Sequence, residues 1–439
     1  MIASPASGSG KTTIAIGLMA LFKSHGMVVQ PYKCGPDYID TKFHGHVCGR
    51  DSVNLDTFMA TPEHVVEVYG HYIPREPDGI AVVEGMMGLF DGYNRSKGSA
   101  AEIAQLLDLP VFMVVDASSA AYSLAPLLHG FKNFDRRVQI AGVIFNKVGS
   151  DRHKKMLSEV CKDVGLECLG YLPRRKELEQ KSRYLGLDFT SNYQDINQLI
   201  RVLDENIFWR RMLEITYRSI PTFEENWIKF QHSTFNFQLK KILIARNEES
   251  FTFIYKENLD LFARLGEVQF FNPEEDKPIP TDVDLLYLPG GYPEKHLEAL
   301  SAAKTTLTSI NAYCLRAAEG KGPIIIAECG GLIYLCKSVL TDNEAYPLVG
   351  AINHNISVRN ADCHLSLGYR EVKPHNGMFC GKVLRGHEFH YTQFDPSSPL
   401  PHSDAIVYDA RGQQTPTPFI SRGGMTASYT HLYLSSLLP

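Results

Sequence analysis

Residues 4–13 read SPASGSGKTT, and the apolar run IAIGLMALF follows directly at 14–22. A glycine-rich turn that opens a helix is the setting of a phosphate-binding loop. Glycines let backbone N–H groups curl around phosphate oxygens, and the helix start adds positive potential. We therefore predict an α/β fold whose first domain is a P-loop parallel-sheet domain. The loop residues predicted to bind ATP are Gly8, Ser9, Gly10, Lys11, Thr12 and Thr13.

Two residues of this loop carry specific chemistry. Lys11 is expected to neutralise the outer phosphates of ATP, and Thr12 to ligate magnesium through its hydroxyl. The opening of the loop is atypical, because Pro5 stands where the motif has Gly or Ala. The strand before the loop is also a stub, since only residues 1–3 are available for it.

Short apolar runs alternate with helical stretches through the first domain. The runs are VVQPYK (28–33), IAVVE (80–84), VFMVVD (111–116) and AGVIFN (141–146). This rhythm predicts a parallel sheet covered by helices. The last three runs end at Glu84, Asp116 and Asn146, and parallel sheets bind ligands beyond the carboxyl ends of their strands. We expect one crevice there, with Asn146 and Lys147 close to the adenine base.

Magnesium and a transferred phosphate need carboxylates nearby. Asp37 and Asp40 in KCGPDYID are three residues apart, so that one turn of backbone points both the same way. Glu84 ends a buried strand, and Asp91 follows in GMMGLFDG. We predict that Thr12, Asp37, Asp40 and Glu84 hold magnesium. The alternative for any single acid is a helix cap or a turn residue.

A second αβ alternation begins at Lys240, with KILIA (241–245), EVQFF (267–271), DLLYLPGG (284–291) and PIIIAECGG (323–331). The strand rhythm is lost between the two alternations. We therefore predict an ATP-binding domain at 1–192, a linker at 193–238 and a second α/β domain at 239–439.

Cys329 lies between the apolar strand PIIIAE and the residues Gly330, Gly331 and LIYLC. A strand, a sharp turn and a helix in this order are typical of a nucleophile elbow. We expect the helix start to lower the pKa of the thiol, and the N–H groups of Gly330 and Gly291 to bind an oxyanion. A base is still needed, and His431 in ASYTHLYL is the candidate. For a single cysteine the alternative is a small core residue.

Composition excludes several other classes of protein. With 439 residues, 44% apolar residues and a net charge of −5, the chain reads as globular, without a general attraction to nucleic acid or anionic lipid. Its nine cysteines are scattered and include no C-x-x-C pair, which favours a reducing compartment and a cytoplasmic location. The apolar run at 14–22 is far shorter than the roughly 20 residues of a membrane span. The spacing of histidines in RGHEFHY (385–391) does not match a helical zinc site.

Nine segments in a fixed order resemble the cobyrinate a,c-diamide synthase family over essentially the whole chain. These segments are GSGKTT, KCGPDYID, SVNLDTFM, VVEGMMGLFDG, ARNEESFTFIYKENL, LPGGYPE, AECGGLIYL, RGHEFHY and SYTHL. The chain is also similar to relatives that amidate hydrogenobyrinate or nickel-sirohydrochlorin. The resemblance implies a dethiobiotin-synthetase-like ATP domain and a class I glutamine amidotransferase domain.

The resemblance also implies residue roles. Cys329 attacks glutamine, His431 raises its nucleophilicity, and ammonia reaches the ATP domain through the protein interior. ATP phosphorylates the a- and c-acetate carboxylates of a polycarboxylate tetrapyrrole such as cobyrinate, and ammonia displaces phosphate from each acyl phosphate. Tyr38 and Asp91 fall at substrate positions of the family.

Two features depart from the family pattern. Tyr433 stands where the usual amidotransferase triad has glutamate, although this branch likewise uses a dyad, and Asn247 stands where A-R-D-x-A-F has aspartate. Two other functions stay open: a P-loop switch ATPase of the partitioning type, and an amidotransferase with a decayed glutaminase half. The first leaves the second domain unexplained, and intact Cys329 and His431 disfavour the other. A homodimer is one alternative for the assembly.

Overall fold

The computed structural model of this protein describes residues 1–174, 196–217, 239–320 and 322–437. The chain divides into two compact units, residues 1–228 and 229–439, each with its own apolar core. Much of the linker predicted at 193–238 lies outside the described residues.

Unit 1 is built on a parallel sheet that has seven strands within the described residues, in the order β3-β2-β4-β1-β5-β6-β7. The strands are β1 (Ile2–Ala3), β2 (Val28–Cys34), β3 (Val53–Leu55), β4 (Gly79–Glu84), β5 (Val111–Asp116), β6 (Ile140–Val148) and β7 (Cys168–Pro173). The parallel sheet predicted from the apolar runs is therefore confirmed. The expected stub, β1, is only two residues long yet lies between β4 and β5, where Ile2 pairs with Glu84 and Phe112.

Helices flank this sheet. They are α1 (Lys11–Ser24), α2 (Ile39–Cys48), α3 (Pro62–Tyr72), α4 (Ala100–Leu106), α5 (Leu124–Phe134), α6 (Asp151–Val164), α7 (Ile196–Asn206) and α8 (Trp209–Thr216). Residues 14–22 of α1 are buried throughout, which confirms a buried helix for this run. A helix that is apolar on all sides belongs in a core.

Helices α7 and α8 belong to the core of unit 1, although they fall within the range predicted for the linker. Leu199 and Leu203 of α7 pack on Gly17 of α1, where an added Cβ would lie 2.2 Å from Leu203 Cδ1. Glycine at position 17 thus allows the two helices to approach closely. The linker boundaries themselves stay a prediction.

Unit 2 has a second, mostly parallel sheet of six described strands in the order β19-β20-β11-β10-β8-β9. Only the edge strand β19 runs antiparallel to its neighbour. These strands are β8 (Lys241–Ala245), β9 (Glu267–Phe271), β10 (Leu285–Leu288), β11 (Ile324–Glu328), β19 (Phe419–Arg422) and β20 (Met425–Ser428). The inner strands LLYL and IIIAE are apolar in sequence because both faces of a parallel sheet are covered.

The remaining elements of unit 2 are short helices and two smaller four-stranded sheets of the described residues, ordered β13-β12-β14-β17 and β18-β15-β16-β21. The helices are α9 (Lys256–Leu265), α10 (Leu297–Ala302), α11 (Lys304–Ala318) and α12 (Gly330–Leu335). The strands are β12 (Cys336–Leu340), β13 (Ala345–Pro347), β14 (Ile352–Ser357), β15 (Ser366–Pro374), β16 (Leu384–His390), β17 (Gln393–Phe394), β18 (Ala405–Asp409) and β21 (His431–Leu432). The RGHEFHY segment thus contributes a strand, β16.

All nine cysteines fall within the described parts of the chain, and each is a free thiol. Among the helices that the structure describes, none combines the length and apolar character needed to cross a bilayer.

Candidate active sites

The loop between β1 and α1 has the backbone geometry of a phosphate cradle. Gly8 and Gly10 have φ angles of 80° and 88°, a region that favours glycine. An added Cβ on Gly10 would also lie 2.2 Å from the Nδ2 atom of Asn146. Helix α1 begins at Lys11 without a side-chain cap, so its first N–H groups point into the loop. This is the arrangement that binds phosphate at a helix start.

The atypical opening of the loop is held by a neighbouring segment. Ser4 is fully buried, and its hydroxyl donates to the carbonyl of Ala6 at 2.9 Å. The N–H of Leu89 donates to the carbonyl of Ser4 at 2.9 Å. An added Cβ on Gly88 would lie 2.6 Å from the carbonyl oxygen of Pro5. The GMMGLF segment thus fixes the Ser4-Pro5 start.

A dense cluster of charged side chains lies at the end of β4 next to this loop. The Thr12 hydroxyl donates to Glu84 Oε1 at 2.6 Å and lies 3.5 Å from Asp40 Oδ2. Lys11 Nζ lies 3.5 Å from Glu84 Oε1. Lys33 Nζ lies 2.5 Å from Asp40 Oδ2 and 2.9 Å from Glu84 Oε1. The structure therefore brings together three of the predicted residues, Thr12, Asp40 and Glu84, around two lysines.

The charges in this cluster shift one another's pKa values. Burial alone would lower the pKa of Lys33, but Asp40, Glu84 and Asp37 outweigh burial and hold it above its ordinary value. Burial opposes ionisation of Glu84, yet Lys33 and Lys11 hold the pKa of Glu84 well below its ordinary value. Burial, followed by the charge of Asp37, raises the pKa of Asp40 to about 6. The pKa of Lys11 is lowered by burial and by Lys33. The cluster therefore favours the charged forms of Lys33 and Glu84, whereas Asp40 and Lys11 ionise less readily than usual.

Sequence reasoning missed Lys33 and His44. Lys33 lies inside the buried strand β2 and is the register partner of Glu84. A lysine in a buried strand was the available signal, because lysine is almost never buried without a partner. His44 lies one turn after Asp40 in α2, and its Nε2 atom is 2.7 Å from Glu84 Oε2.

Asp37 and Asp91 have local structural contacts. Asp37 Oδ1 accepts hydrogen bonds from the N–H groups of Ile39 and Asp40 at 2.8 and 3.0 Å, so it caps the start of α2. Asp37 Oδ2 lies 3.9 Å from Lys33 Nζ. Asp91 Oδ2 accepts from the N–H of Gly88 at 3.0 Å, within a turn. The alternative of a cap or turn residue thus describes much of the bonding of these two acids.

The other predicted residues of unit 1 lie around the same loop. Asn146 donates to the carbonyl of Ser9 at 3.0 Å, so its amide contacts the loop. Lys147 has a positive φ of 60° and lies 2.7 Å from Asp116 Oδ2. Tyr38 is buried at the start of α2, and Thr13 is half-buried in the first turn of α1.

In unit 2, Cys329 forms the sharp turn between β11 and α12. Its φ and ψ are 46° and −101°, a strained conformation for a residue with a side chain. An added Cβ on Gly331 would lie 2.0 Å from the carbonyl of Leu288. Glycine at position 331 therefore lets the start of α12 pack against the end of β10. This is the geometry of a nucleophile elbow.

The two glycines predicted to form an oxyanion site are brought together. An added Cβ on Gly330 would lie 3.0 Å from the backbone nitrogen of Gly291. Gly291 itself packs so closely that an added Cβ would lie 2.2 Å from the carbonyl of Ser250. Two backbone N–H groups beside a nucleophile can stabilise a developing oxyanion.

His431 lies against Gly290, the residue before the predicted oxyanion glycine Gly291. An added Cβ on Gly290 would lie 2.0 Å from His431 Cε1, so the ring rests on this glycine. Burial, and then His387 and His390, hold the pKa of His431 well below its ordinary value. The imidazole is therefore neutral, and in this buried site it is a weaker base than an ordinary histidine.

The thiol of Cys329 is also neutral in this state. Burial, and then the charge of Glu294, raise its pKa, and the N–H of Gly330 lowers it only in part. The helix start, which was expected to lower the pKa of this thiol, is thus outweighed by burial. A base is needed to remove the proton, and His431 is the neutral imidazole beside the turn.

No carboxylate follows His431, and other contacts hold its strand in place. Asn258 Nδ2 donates to the carbonyl of Leu432 at 2.8 Å, and the N–H of Leu434 donates to Asn258 Oδ1 at 2.9 Å. Tyr287 donates its hydroxyl to Glu328 Oε2 at 2.7 Å, directly before the nucleophile. Asn258, Tyr287 and Glu328 were not identified from the sequence.

A further group of polar side chains lies elsewhere in unit 2. One ligand atom each of His375, His402 and Asp404 falls within 4.8 Å of the others. Asp404 already accepts hydrogen bonds from Asn376 and from the N–H of Ser421 at 3.2 and 2.8 Å, and both histidines are exposed. We assign no metal to this group.

Comparison with known proteins gives matches to both units. Residues 1–185 match the CobQ/CobB/MinD/ParA nucleotide binding domain, and residues 241–437 match the CobB/CobQ-like glutamine amidotransferase domain. A hydrogenobyrinate a,c-diamide synthase of Brucella anthropi is 35% identical over 98% of this chain and 97% of its own length. A cobyrinate a,c-diamide synthase of Caldanaerobacter subterraneus is 36% identical over 90% of this chain and 86% of its own length. That of a Synechococcus strain is 34% identical over 99% of this chain and 94% of its own length.

Proposed function

This chain belongs to the a,c-diamide synthase family, and from that premise we propose that it amidates the a- and c-acetate carboxylates of cobyrinate. It is a glutamine-dependent, ATP-driven amide-forming ligase of cobalamin biosynthesis. The observation that best supports the proposal is the pairing of two sites in one chain. In unit 1, Thr12, Lys11 and Lys33 all contact Glu84 next to the glycine-rich loop. In unit 2, Cys329 has the strained backbone of an elbow, and His431 packs on Gly290.

ATP binding is assigned to the loop and its surroundings. Backbone N–H groups of Gly8, Ser9 and Gly10 receive phosphate oxygens, and Lys11 neutralises their charge. Thr13, Asn146 and Lys147 complete the predicted set. We add Lys33 to these residues, because its buried ammonium offers positive charge at the place where phosphate charge develops.

The residues next to Thr12 fit magnesium. Magnesium prefers hard oxygen ligands, and the Thr12 hydroxyl lies within hydrogen-bonding reach of carboxylate oxygens of Asp40 and Glu84. We assign these three residues as its ligands and Asp37 as a supporting acid that fixes the start of α2. Bound magnesium would neutralise phosphate charge and orient ATP.

The ligase half then activates a carboxylate. An oxygen of the substrate carboxylate attacks the γ-phosphorus of ATP, the bond to the ADP oxygen breaks, and an acyl phosphate forms. The ammonia nitrogen attacks the carbonyl carbon, phosphate departs, and the nitrogen loses a proton. A carboxylate needs this step because its own oxygen is a poor leaving group. Tyr38 and Asp91 are the residues proposed to contact this substrate.

The glutaminase half supplies the ammonia. His431 takes the proton of the Cys329 thiol, and the thiolate attacks the carboxamide carbon of glutamine. The N–H groups of Gly291 and Gly330 stabilise the oxyanion that results. His431 returns the proton to the departing ammonia, and water hydrolyses the thioester to glutamate.

The identity of the tetrapyrrole is tested with a substrate panel. Relatives of similar identity are named for hydrogenobyrinate as well as for cobyrinate. The protein is incubated with ATP, glutamine and either cobyrinate, hydrogenobyrinate or nickel-sirohydrochlorin, and amides are counted by mass. We expect two amides on cobyrinate. ATP turnover that ignores glutamine and responds to a protein or DNA partner would instead support a switch ATPase.

The domain boundaries at 192 and 238, a homodimer and a cytoplasmic location stay predictions.

A further inference from the structure

The hydrogen bonding of the Glu294 carboxylate is incomplete within the described residues. It lies in the LPGGYPE segment, in a 3-10 turn formed by Pro293–Lys295. Its Oε2 atom is buried and accepts no hydrogen bond from the described residues. Burying a carboxylate oxygen without a partner is costly, so this atom calls for an explanation such as a bound ion or ligand.

Glu294 lies beside the nucleophile. Its neighbour Pro293 packs on the residue after Cys329, since an added Cβ on Gly330 would lie 3.0 Å from Pro293 Cδ. The charge of Glu294 raises the pKa of the Cys329 thiol. A carboxylate at this place opposes formation of the thiolate, so activation of the cysteine does not explain it.

The two cationic side chains nearest in sequence are directed elsewhere. Lys295 is exposed, and its Nζ lies 4.3 Å from the centroid of the Tyr292 ring. His296 faces other acids, with Nε2 3.1 Å from Glu249 and Nδ1 3.3 Å from Glu274. The described residues thus provide no ion pair for Glu294. The charges of Lys295 and His296 only partly offset the burial that raises the pKa of this carboxyl to about 7, and a bound cation would stabilise its ionised form.

We propose that Glu294 binds the α-ammonium group of the glutamine that Cys329 attacks. The proposal rests on the glutaminase function assigned above and deepens it. Glutamine has one cationic group, at the end of the molecule remote from its carboxamide. A buried carboxylate close to the nucleophile selects glutamine over primary amides that lack this group.

The contact also couples substrate binding to activation of the nucleophile. The bound ammonium neutralises the charge that opposes ionisation of Cys329. This removes the smaller of the two named causes that raise the pKa of the thiol. Burial, the larger cause, remains, so a base is still needed to remove the proton.

The test compares glutamine with 4-carbamoylbutanoate, which is glutamine without its α-amino group. Ammonia release is measured for the wild-type protein and for E294Q, with E298Q as the control, because Glu298 is an exposed glutamate of the adjacent helix α10. We expect E294Q to lower kcat/KM for glutamine by about 10- to 100-fold, the worth of a charged hydrogen bond. The smaller amide should be hydrolysed equally slowly by wild type and E294Q, and E298Q should match wild type.

Several outcomes overturn the proposal. They are an equal loss by E294Q on both substrates, no loss on either, or a wild-type protein that hydrolyses both amides equally well. The last comparison needs no variant, so it can overturn the proposal even when E294Q does not fold. A wild-type protein that releases no ammonia from glutamine would overturn the glutaminase assignment itself, whereas ammonia-dependent amidation retained by E294Q shows that the ligase half is intact.

Discussion

Lys33 and Glu84 form a buried ion pair, with Nζ 2.9 Å from Oε1, and their side chains are 2% and 0% exposed. They are register partners on adjacent parallel strands, β2 and β4. The pairing places a permanent positive charge beneath the phosphate loop before any ligand binds. The charge of Lys33 also counteracts the effect of burial on the pKa values of Glu84 and Asp40.

Replacing Lys33 with methionine should destabilise unit 1 by about 3–5 kcal/mol, because buried carboxylates lose their ion-pair partner. Trp209 is buried in the core of unit 1, so its fluorescence during urea unfolding reports this unit. The control is K162M on α6, where the lysine is exposed. Unfolding of K33M at the urea concentration of wild type would contradict the ion-pair account.

The sequence predicted this site through its motif and missed the residues that hold it together. The spacing of GSGKTT specifies the loop, because turn and helix start are local features. Lys33 and His44 reach Glu84 only through the pairing of β2 with β4 and the packing of α2, and these contacts are non-local. The cap formed by Asp37 is local and was anticipated as an alternative.

Replacing Cys329 with serine should abolish glutamine-dependent amidation and leave amidation with free ammonia near the wild-type rate. The hydroxyl is a far weaker nucleophile than the thiolate, whereas the ligase site lies in the other unit. The two rates are measured by ADP release and by mass. C380S, a change at an exposed cysteine, should leave both rates unchanged. Equal loss of both activities in C329S would refute the division of labour.

Replacing Glu328 with glutamine should flatten the pH dependence of unit 2 stability. Burial raises the pKa of Glu328 to about 8, against an ordinary value of 4.5. Between these values the folded state holds the extra proton, so the free energy of unfolding falls as pH rises. The slope from this group is at most about 1.4 kcal/mol per pH unit.

Urea unfolding is monitored by circular dichroism at pH 5 to 8. The transition of unit 2 is the one that has no tryptophan fluorescence signal. E328Q should gain stability relative to wild type as pH rises towards about 8. The exposed control E298Q should keep the wild-type slope. If the free energy of unfolding changes equally with pH in E328Q and in wild type, Glu328 does not carry this proton.

In the second site, as in the first, the sequence indicated the residues of the local motif and missed those that support them. Cys329, Gly291, Gly330 and His431 could be proposed from the sequence because the elbow has a local pattern and its partners match family segments. Asn258 was missed because its amide contacts backbone atoms of Leu432 and Leu434, some 170 residues away in the chain. No spacing rule identifies a side chain that hydrogen-bonds a distant backbone. The one hint in the sequence is that no carboxylate follows His431, which indicates that another group holds this strand.

Replacing Asn258 with alanine should lower kcat for glutamine on the order of 100-fold, the effect of displacing a catalytic group by about 1 Å. Strand β21 is two residues long and pairs only with β16 among the described strands, so the two hydrogen bonds from Asn258 are a large part of its support. Because Asn258 is a positioning residue, KM for glutamine should change little, and amidation with free ammonia should be unaffected. N311A is the matched control, since Asn311 also donates its amide to a backbone carbonyl, that of Val349 at 2.8 Å. A loss confined to stability, equal in N258A and N311A and without a change in kcat, would leave Asn258 a purely structural residue and assign the orientation of His431 to its contact with Gly290.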